Sequence, residues 1–70
     1  MYRFLVVIER ADKNFSAYLP DLPGCVATGE TREEVEQNIR EAIQMHVQGL
    51  QEDHLPIPNA ESIAEYIVVH

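Results

Sequence analysis

A proline-bracketed turn, a short extended run and a capped amphipathic helix follow one another between residues 20 and 50. Pro20 and Pro23 flank the turn, and neither can donate a ladder hydrogen bond, so strand pairing should stop there. Thr31 and Glu34 then stand at the spacing of a capping box, with Thr31 as the N-cap. The pattern predicts a turn, a third short strand and a helix that begins at Arg32.

The predicted helix carries one apolar stripe at helical spacing and a largely charged opposite side. We expect it to run from Arg32 to about Leu50, with Gly49 weakening the last turn and marking its end. The stripe consists of Val35, Ile39, Ala42, Ile43, His46, Val47 and Leu50.

Alternating apolar residues predict strands on both sides of this central unit. Residues 2–9 and 15–19 form an antiparallel hairpin across a polar turn, and residues 25–29 supply the third strand. Residues 63–69, apolar on both faces except for Glu65, are expected to form a last strand. A right-handed crossover would place this strand beside the first and parallel to it.

The resulting order, β-β-β-α-β, predicts a single α+β domain over residues 1–70. It has two layers: a mixed four-stranded sheet with one helix on one face. A chain of 70 residues has a thin core and often needs a disulfide, a metal or self-association for stability. Cys25 is the sole cysteine, and clustered Cys or His ligands are lacking in the sequence, so self-association is the remaining candidate.

The charge balance indicates which kind of partner the chain can bind. Twelve acidic and five basic residues give a net charge of −7, which disfavours nucleic acid and favours a basic protein. Residues 30–53 hold seven acids and two bases, a net −5, and the rest of the chain holds the other −2. The sequence shows neither a signal peptide nor a membrane-spanning run, which predicts a cytoplasmic protein with no membrane partner.

Catalysis is not expected. Two-metal nucleases need converging carboxylates, whereas the centre of the first strand is Leu5-Val6-Val7. No feature of the sequence places a general base next to Cys25, for which we expect burial. We therefore predict no catalytic residue, no metal site and no cofactor.

Two strings resemble the HicB-like antitoxin family. One is Phe15-Ser16-Ala17-Tyr18-Leu19-Pro20-Asp21-Leu22-Pro23-Gly24-Cys25, and the other is Thr31-Arg32-Glu33-Glu34-Val35-Glu36-Gln37-Asn38-Ile39-Arg40-Glu41-Ala42-Ile43. Residues 56–58, Pro-Ile-Pro, also lie where this family often has prolines, so the resemblance covers essentially the whole chain.

The resemblance implies a partial RNase H-like fold and a role as the antitoxin of a type II toxin–antitoxin pair. The implied partner is a HicA-like toxin, a small basic ribonuclease that the antitoxin binds and inhibits. Many members add a C-terminal DNA-binding domain. This chain stops at His70 without one, so direct DNA binding is not expected. The alternative function is a stand-alone oligomeric module that binds another protein or a small ligand.

Two surfaces are candidates for binding. The helix acids and the proline turn are candidate contacts for a partner protein: Glu33, Glu36, Glu41, Asp21, Leu22 and Pro23. The sheet face that the helix leaves open is a candidate interface for a homodimer or larger homo-oligomer. Its predicted residues are Leu5, Val7, Tyr18, Tyr66 and Val68, with Ile67 and Val69 as the alternative pair in the last strand.

Overall fold

The structure, a computed structural model, describes residues 2–70. Three strands and one helix follow in chain order: β1 (Val7–Arg10), β2 (Phe15–Tyr18), β3 (Val26–Gly29) and α1 (Arg32–Glu52). The strands form one antiparallel sheet in the order β1-β2-β3. The predicted α+β class and the order of these four elements are confirmed.

The first strand is shorter at its N-terminal end than the sequence predicted. Val7 pairs with Tyr18, and continuing the same register would bring Leu5 opposite Pro20. Because proline has no N–H to donate, the antiparallel ladder cannot extend to that pair. The alternating apolar pattern that begins before Val7 therefore exceeds the length that β2 can pair.

The side of the sheet covered by α1 holds the core. Ala17 pairs with Ile8 on one side and Ala27 on the other, so these three residues share that face. The buried core comprises Ala17, Leu19, Leu22, Cys25, Val35 and Ile39. Partly buried apolar residues of β1 and the helix stripe extend it, among them Phe4, Val6, Ile8 and Ile43.

Gly29 ends β3 where the sheet meets the first turn of the helix. A Cβ atom at this position would lie 2.6 Å from the Val35 backbone nitrogen, which is closer than real side chains come. The short connection between β3 and α1 thus depends on a residue without a side chain.

The helix begins as predicted. Thr31 is the N-cap, and its Oγ1 accepts a hydrogen bond of 3.1 Å from the Glu34 N–H. The Glu34 carboxylate accepts in return at 3.3 Å, from the N–H of Glu30 rather than from that of Thr31. The reciprocal arrangement of a capping box is present with one bond displaced by a residue.

The helix ends later than predicted. Gly49 lies within it, and α1 continues to Glu52 with Asp53 as the C-cap. His54 follows with φ of 55°, in the left-handed region. The Leu55 N–H reaches back to the Leu50 carbonyl at 2.9 Å, the long bond of a Schellman-type ending. The prediction that Gly49 ends the helix was wrong, because the left-handed position after the C-cap, which glycine usually takes, is held by His54.

The strain at His54 can be measured. Replacing it, as His54→Gly, should raise the free energy of unfolding by about 0.5–1 kcal/mol, since glycine removes the left-handed strain but loses more backbone entropy. His54→Ala is the matched control and should give no gain, because alanine retains the strain. Urea denaturation of both variants at one pH distinguishes these results, and equal stability of the two would contradict the assignment.

The predicted fourth strand is absent from the sheet of the described residues. The C-terminal segment, residues 63–69, has no regular secondary structure, and its backbone joins no ladder. Ala64, Glu65 and Tyr66 lie beside residues 5–8 at the free edge of β1, without pairing to them. Its apolar side chains stay in solvent: Ile63, Ile67, Val68 and Val69 are each 79% exposed or more. With little apolar burial, this segment lacks the packing that stabilises an added strand.

Candidate functional site

The proline turn is built around a buried leucine. Leu22 is 1% exposed, although it lies at the centre of the turn. Its N–H donates to the Leu19 carbonyl at 3.3 Å, and its carbonyl accepts from the Cys25 N–H at 3.2 Å. Gly24 closes the turn with φ of 85°. Leu22 therefore belongs to the core and offers no surface to a partner, which corrects its candidacy as a contact residue, while Pro23 remains exposed.

Asp21 fastens the turn to the chain some 40 residues later. Its Oδ2 accepts hydrogen bonds from the N–H groups of Glu61 at 3.2 Å and Ser62 at 3.0 Å. Its Oδ1 accepts a third, from the Ser62 hydroxyl at 2.8 Å. We call this set of three bonds the Asp21 latch. It fixes the point from which the C-terminal segment departs, so the Asp21 carboxylate is occupied within its own chain.

These hydrogen bonds shift the acidity of Asp21. The Ser62 N–H and then the Ser62 hydroxyl are the main causes that lower the pKa of Asp21 below its usual 3.8; the Glu61 N–H adds to them, and desolvation opposes them. A carboxylate that accepts several hydrogen bonds is favoured in its charged form. Because the folded pKa is lowered, the latch contributes its full stability above the unfolded value, and this contribution is lost as pH falls through the folded pKa.

Asp21→Asn should weaken the latch at neutral pH. The amide Oδ1 can still accept from the two backbone N–H groups while its Nδ2–H donates to the Ser62 hydroxyl, but a neutral acceptor makes weaker hydrogen bonds than a carboxylate does. We expect the Glu61 and Ser62 amides to lose hydrogen-exchange protection in the variant, and in the parent chain as pH falls below 3.8.

Asp12→Asn, in the exposed turn between β1 and β2, is the matched control for that experiment. It should leave protection at residues 61 and 62 unchanged. Equal protection in Asp21→Asn and the parent would show that the charge of the Asp21 carboxylate does not strengthen these bonds in solution.

The helix presents acids along its exposed side. Glu33 and Glu41 are exposed and Glu36 is half-buried. Arg32 Nε lies 3.0 Å from Glu36 Oε1, an exposed ion pair, and the Gln37 amide donates to Glu41 Oε1 at 3.1 Å. Exposed contacts of this kind stabilise a helix by only a few tenths of a kcal/mol. These carboxylates therefore keep most of their charge available to a partner.

Burial of Cys25, which the sequence predicted, is confirmed. Cys25 is buried at 3% exposure, and this burial raises the pKa of its thiol. His46 is half-buried on the helix stripe. Within residues 2–70, no group of three or more His, Cys, Asp or Glu side chains is placed to hold a metal ion. Among the same residues, no helix has the length and apolar character needed to cross a membrane.

An apolar groove of about 440 Å³ lies between the N-terminal strand region and α1. Phe4, Val6 and Ile8 form one wall, and Ile39 and Ile43 form the other. Tyr2, Glu36, Arg40 and Gln44 complete its lining. The groove exists because the sheet stops at β1 on this side, which leaves part of the helix stripe without a strand opposite it.

The sheet face away from the helix carries an apolar row across all three strands. Val7 pairs with Tyr18, and Tyr18 pairs with Val26, so their side chains share that face. We call Val7, Tyr18 and Val26 the open-face row. Tyr18 is 40% exposed and Val26 is 67% exposed. Alternation in the sequence predicted the first two residues but not Val26, because a four-residue strand is too short to assign its faces.

The C-terminal segment joins no strand ladder, so its residues are not assigned to either face of the sheet. Tyr66 lies near Ile8, Phe15 and Arg32, and it is fully exposed, at 106%. Which pair extends the open face, Tyr66 and Val68 or Ile67 and Val69, stays a prediction.

Comparison with known proteins identifies the family. A family model described as the HicB-like antitoxin of a bacterial toxin–antitoxin system matches residues 4–69. The chain belongs to the HicB-like antitoxin family. A Synechocystis relative, known only as a UPF0150 protein, is 36% identical over 66 residues, which cover 93% of this chain and 84% of the relative.

This HicB-like chain is also similar to a longer protein and to one chain of a solved complex. An uncharacterised 14.9 kDa protein of Haemophilus phage HP1 is 36% identical over 62 residues, 89% of this chain, and the chain spans about half of it, 47%. A chain in a solved HicA3 and HicB3 toxin–antitoxin complex matches with a TM-score of 0.66 at 26% identity, covering 83% of this chain and 72% of that chain. The resemblance seen in the sequence is thus confirmed at the level of family and fold.

Proposed function

We propose that this HicB-like protein is an antitoxin that binds and inhibits a HicA-like toxin, a small basic ribonuclease. The single observation that carries the proposal is the structural similarity to a chain of a HicA3 and HicB3 complex. The family match over residues 4–69 supports it. In this role the protein acts by binding, in the cytoplasm, without catalytic activity, metal or cofactor of its own.

The charge distribution fits a basic partner. The net charge is −7, of which −5 lies in residues 30–53, and the structure exposes Glu33 and Glu41 on the helix. Complementary charge steers association and helps to reject wrong partners. We place the contact on the acidic helix side, with Glu33, Glu36 and Glu41 as the residues that meet the toxin and Pro23 as an exposed neighbour on the turn.

Two of the residues that the sequence suggested as contacts lie outside the proposed interface. Leu22 is buried and Asp21 accepts three hydrogen bonds within the chain. Their part in toxin binding is indirect: they hold the turn and the start of the C-terminal segment in place. The same field of negative charge opposes binding to nucleic acid, so repression of a promoter would require a partner or a further domain.

The direct test is copurification from the native host. A tagged version of this chain should retain a small basic protein, encoded next to its gene, in stoichiometric amount. The purified complex should not cleave RNA, and the toxin released from it by denaturation and refolding should. Retention of no basic partner, in a host that contains such a gene, would contradict the proposal.

A second candidate function, a stand-alone module that binds a small ligand, is favoured by one observation. The groove of about 440 Å³ between the N-terminal strand region and α1 is open and largely apolar, the general character of a small-molecule site. Ile43→Glu would introduce a charge into this groove, and Met45→Glu, on an exposed helix residue, is the control. If groove binding is the function, only the first variant should lose a ligand that native mass spectrometry detects on the parent.

A further inference from the structure

The open-face row is the part of the surface that combines exposed apolar side chains with little charge. The adjacent row on the same face is Glu9, Ser16 and Thr28, defined by the same strand pairing. These two rows together hold one carboxylate, that of Glu9. By contrast, the helix side carries most of the net charge of −7.

The difference in charge between the open face and the helix side indicates what binds to the open face. A basic toxin is attracted by the acidic helix and gains nothing electrostatic from an uncharged apolar row. A second copy of this chain is repelled by the acidic helix, since both copies carry −7, and can approach only through its least charged surface. Two identical apolar rows satisfy this condition when they face one another around a two-fold axis.

The C-terminal segment continues the same surface. Ile67 is 79% exposed and Val69 is 86% exposed, directly after the residues that lie beside the free edge of β1. A segment that is apolar on both faces requires cover on both. Neither face is covered within residues 2–70, since Tyr66 at 106% and Val68 at 81% are as exposed as Ile67 and Val69. The Asp21 latch holds residues 61 and 62, so the start of the C-terminal segment has a fixed position.

We propose that two copies of this protein associate through the open face, with Val7, Tyr18 and Val26 at the centre and Ile67 and Val69 at the margin. Leu5, half-buried at the same end of the sheet, belongs to this interface. The packing is sheet against sheet and isologous, so each residue meets its own region of the second copy. The acidic helices then lie on the two outer sides of the dimer, free for other partners.

Light scattering on the full chain tests the association. The parent should give a mass of about 16 kDa, twice the 8.0 kDa of one chain, in a micromolar concentration series. Val26→Lys should raise the dissociation constant of the dimer by about tenfold or more, because it puts a desolvated charge at the centre of the interface. Thr28→Lys is the matched control. Thr28 lies on the same strand and the same face as Val26 and is also exposed, but it belongs to the polar row, and it receives the same lysine.

Salt separates this association from toxin binding. Screening weakens the repulsion between two acidic copies, so the dimer should become tighter as ionic strength rises. Binding of a basic toxin should change in the opposite direction. The opposite salt dependences therefore allow dimer formation and toxin binding to be tested independently of one another.

Asp21→Asn adds a test of the latch within the dimer. The residue lies outside the interface, so weaker association in this variant, with circular dichroism unchanged, would support placement of the segment by the latch. A mass of 8 kDa at every concentration would overturn the proposal. So would equal effects of Val26→Lys and Thr28→Lys, since the row would then not lie at the centre of the contact.

Discussion

Leu22→Ala should leave this protein close to unfolded at 37 °C. The side chain is 1% exposed at the centre of the proline turn, and truncating a buried leucine costs about 2–5 kcal/mol. At about 0.05–0.15 kcal/mol per residue, a domain of 70 residues has a total free energy of unfolding near 3–10 kcal/mol. One substitution would therefore remove a large share of the total.

Leu55→Ala is the matched control, since the same atoms are removed from a side chain that is 52% exposed. Its urea midpoint should stay near that of the parent, while the midpoint of Leu22→Ala should fall steeply. If both variants unfold alike, the turn does not contribute to the core as described, and Leu22 would again be a candidate for an exposed contact.

Reversing three acids on the helix should slow association with a basic toxin by about tenfold or more at low salt, within the range of electrostatic steering. The variant carries Glu33→Lys, Glu36→Lys and Glu41→Lys, which changes the net charge from −7 to about −1, because each reversal adds two charges. The difference in rate should shrink as salt is added, since screening acts over about 8 Å at physiological ionic strength. The readout is the association rate against ionic strength.

The control for this variant reverses three acids elsewhere. Asp12→Lys, Glu61→Lys and Glu65→Lys reach the same net charge through exposed residues away from the helix. If the acidic helix side is the contact, the helix variant should bind more slowly than this control. Equal rates would mean that net charge alone matters, and parent-like rates in the helix variant would mean that these acids are only a solvated helix face. Loss of the Arg32–Glu36 pair should leave the circular dichroism spectrum unchanged.

Local chemistry explains which parts of the fold were predictable. Thr31 and Glu34 specify the helix start through hydrogen bonds within four residues, and the structure has that start. The helix end was mispredicted because His54 adopts φ of 55°, a conformation that the sequence pattern assigns to glycine. Pro20 and Pro23 correctly marked the end of strand pairing, but the burial of Leu22 between them depends on the helix that packs above.

Non-local features were the ones that sequence could not supply. The C-terminal segment has the composition of a strand, yet pairing requires an edge far away in the chain and a covered apolar face, neither of which periodicity can report. The Asp21 latch joins residues 40 apart, and no local signal links that aspartate to Ser62. Of the candidate contact residues, the helix acids followed from helical spacing alone, whereas Val26 required the strand register.

Inhibition of a HicA-like toxin tests the central claim most directly. The measurement is cleavage of a labelled RNA by the basic ribonuclease encoded beside this gene, titrated with the purified chain. The account predicts that cleavage stops when one chain is present per toxin, and that the helix charge-reversal variant requires longer preincubation at low salt. Undiminished cleavage at a large excess of folded chain, with no complex in size-exclusion chromatography, would contradict it.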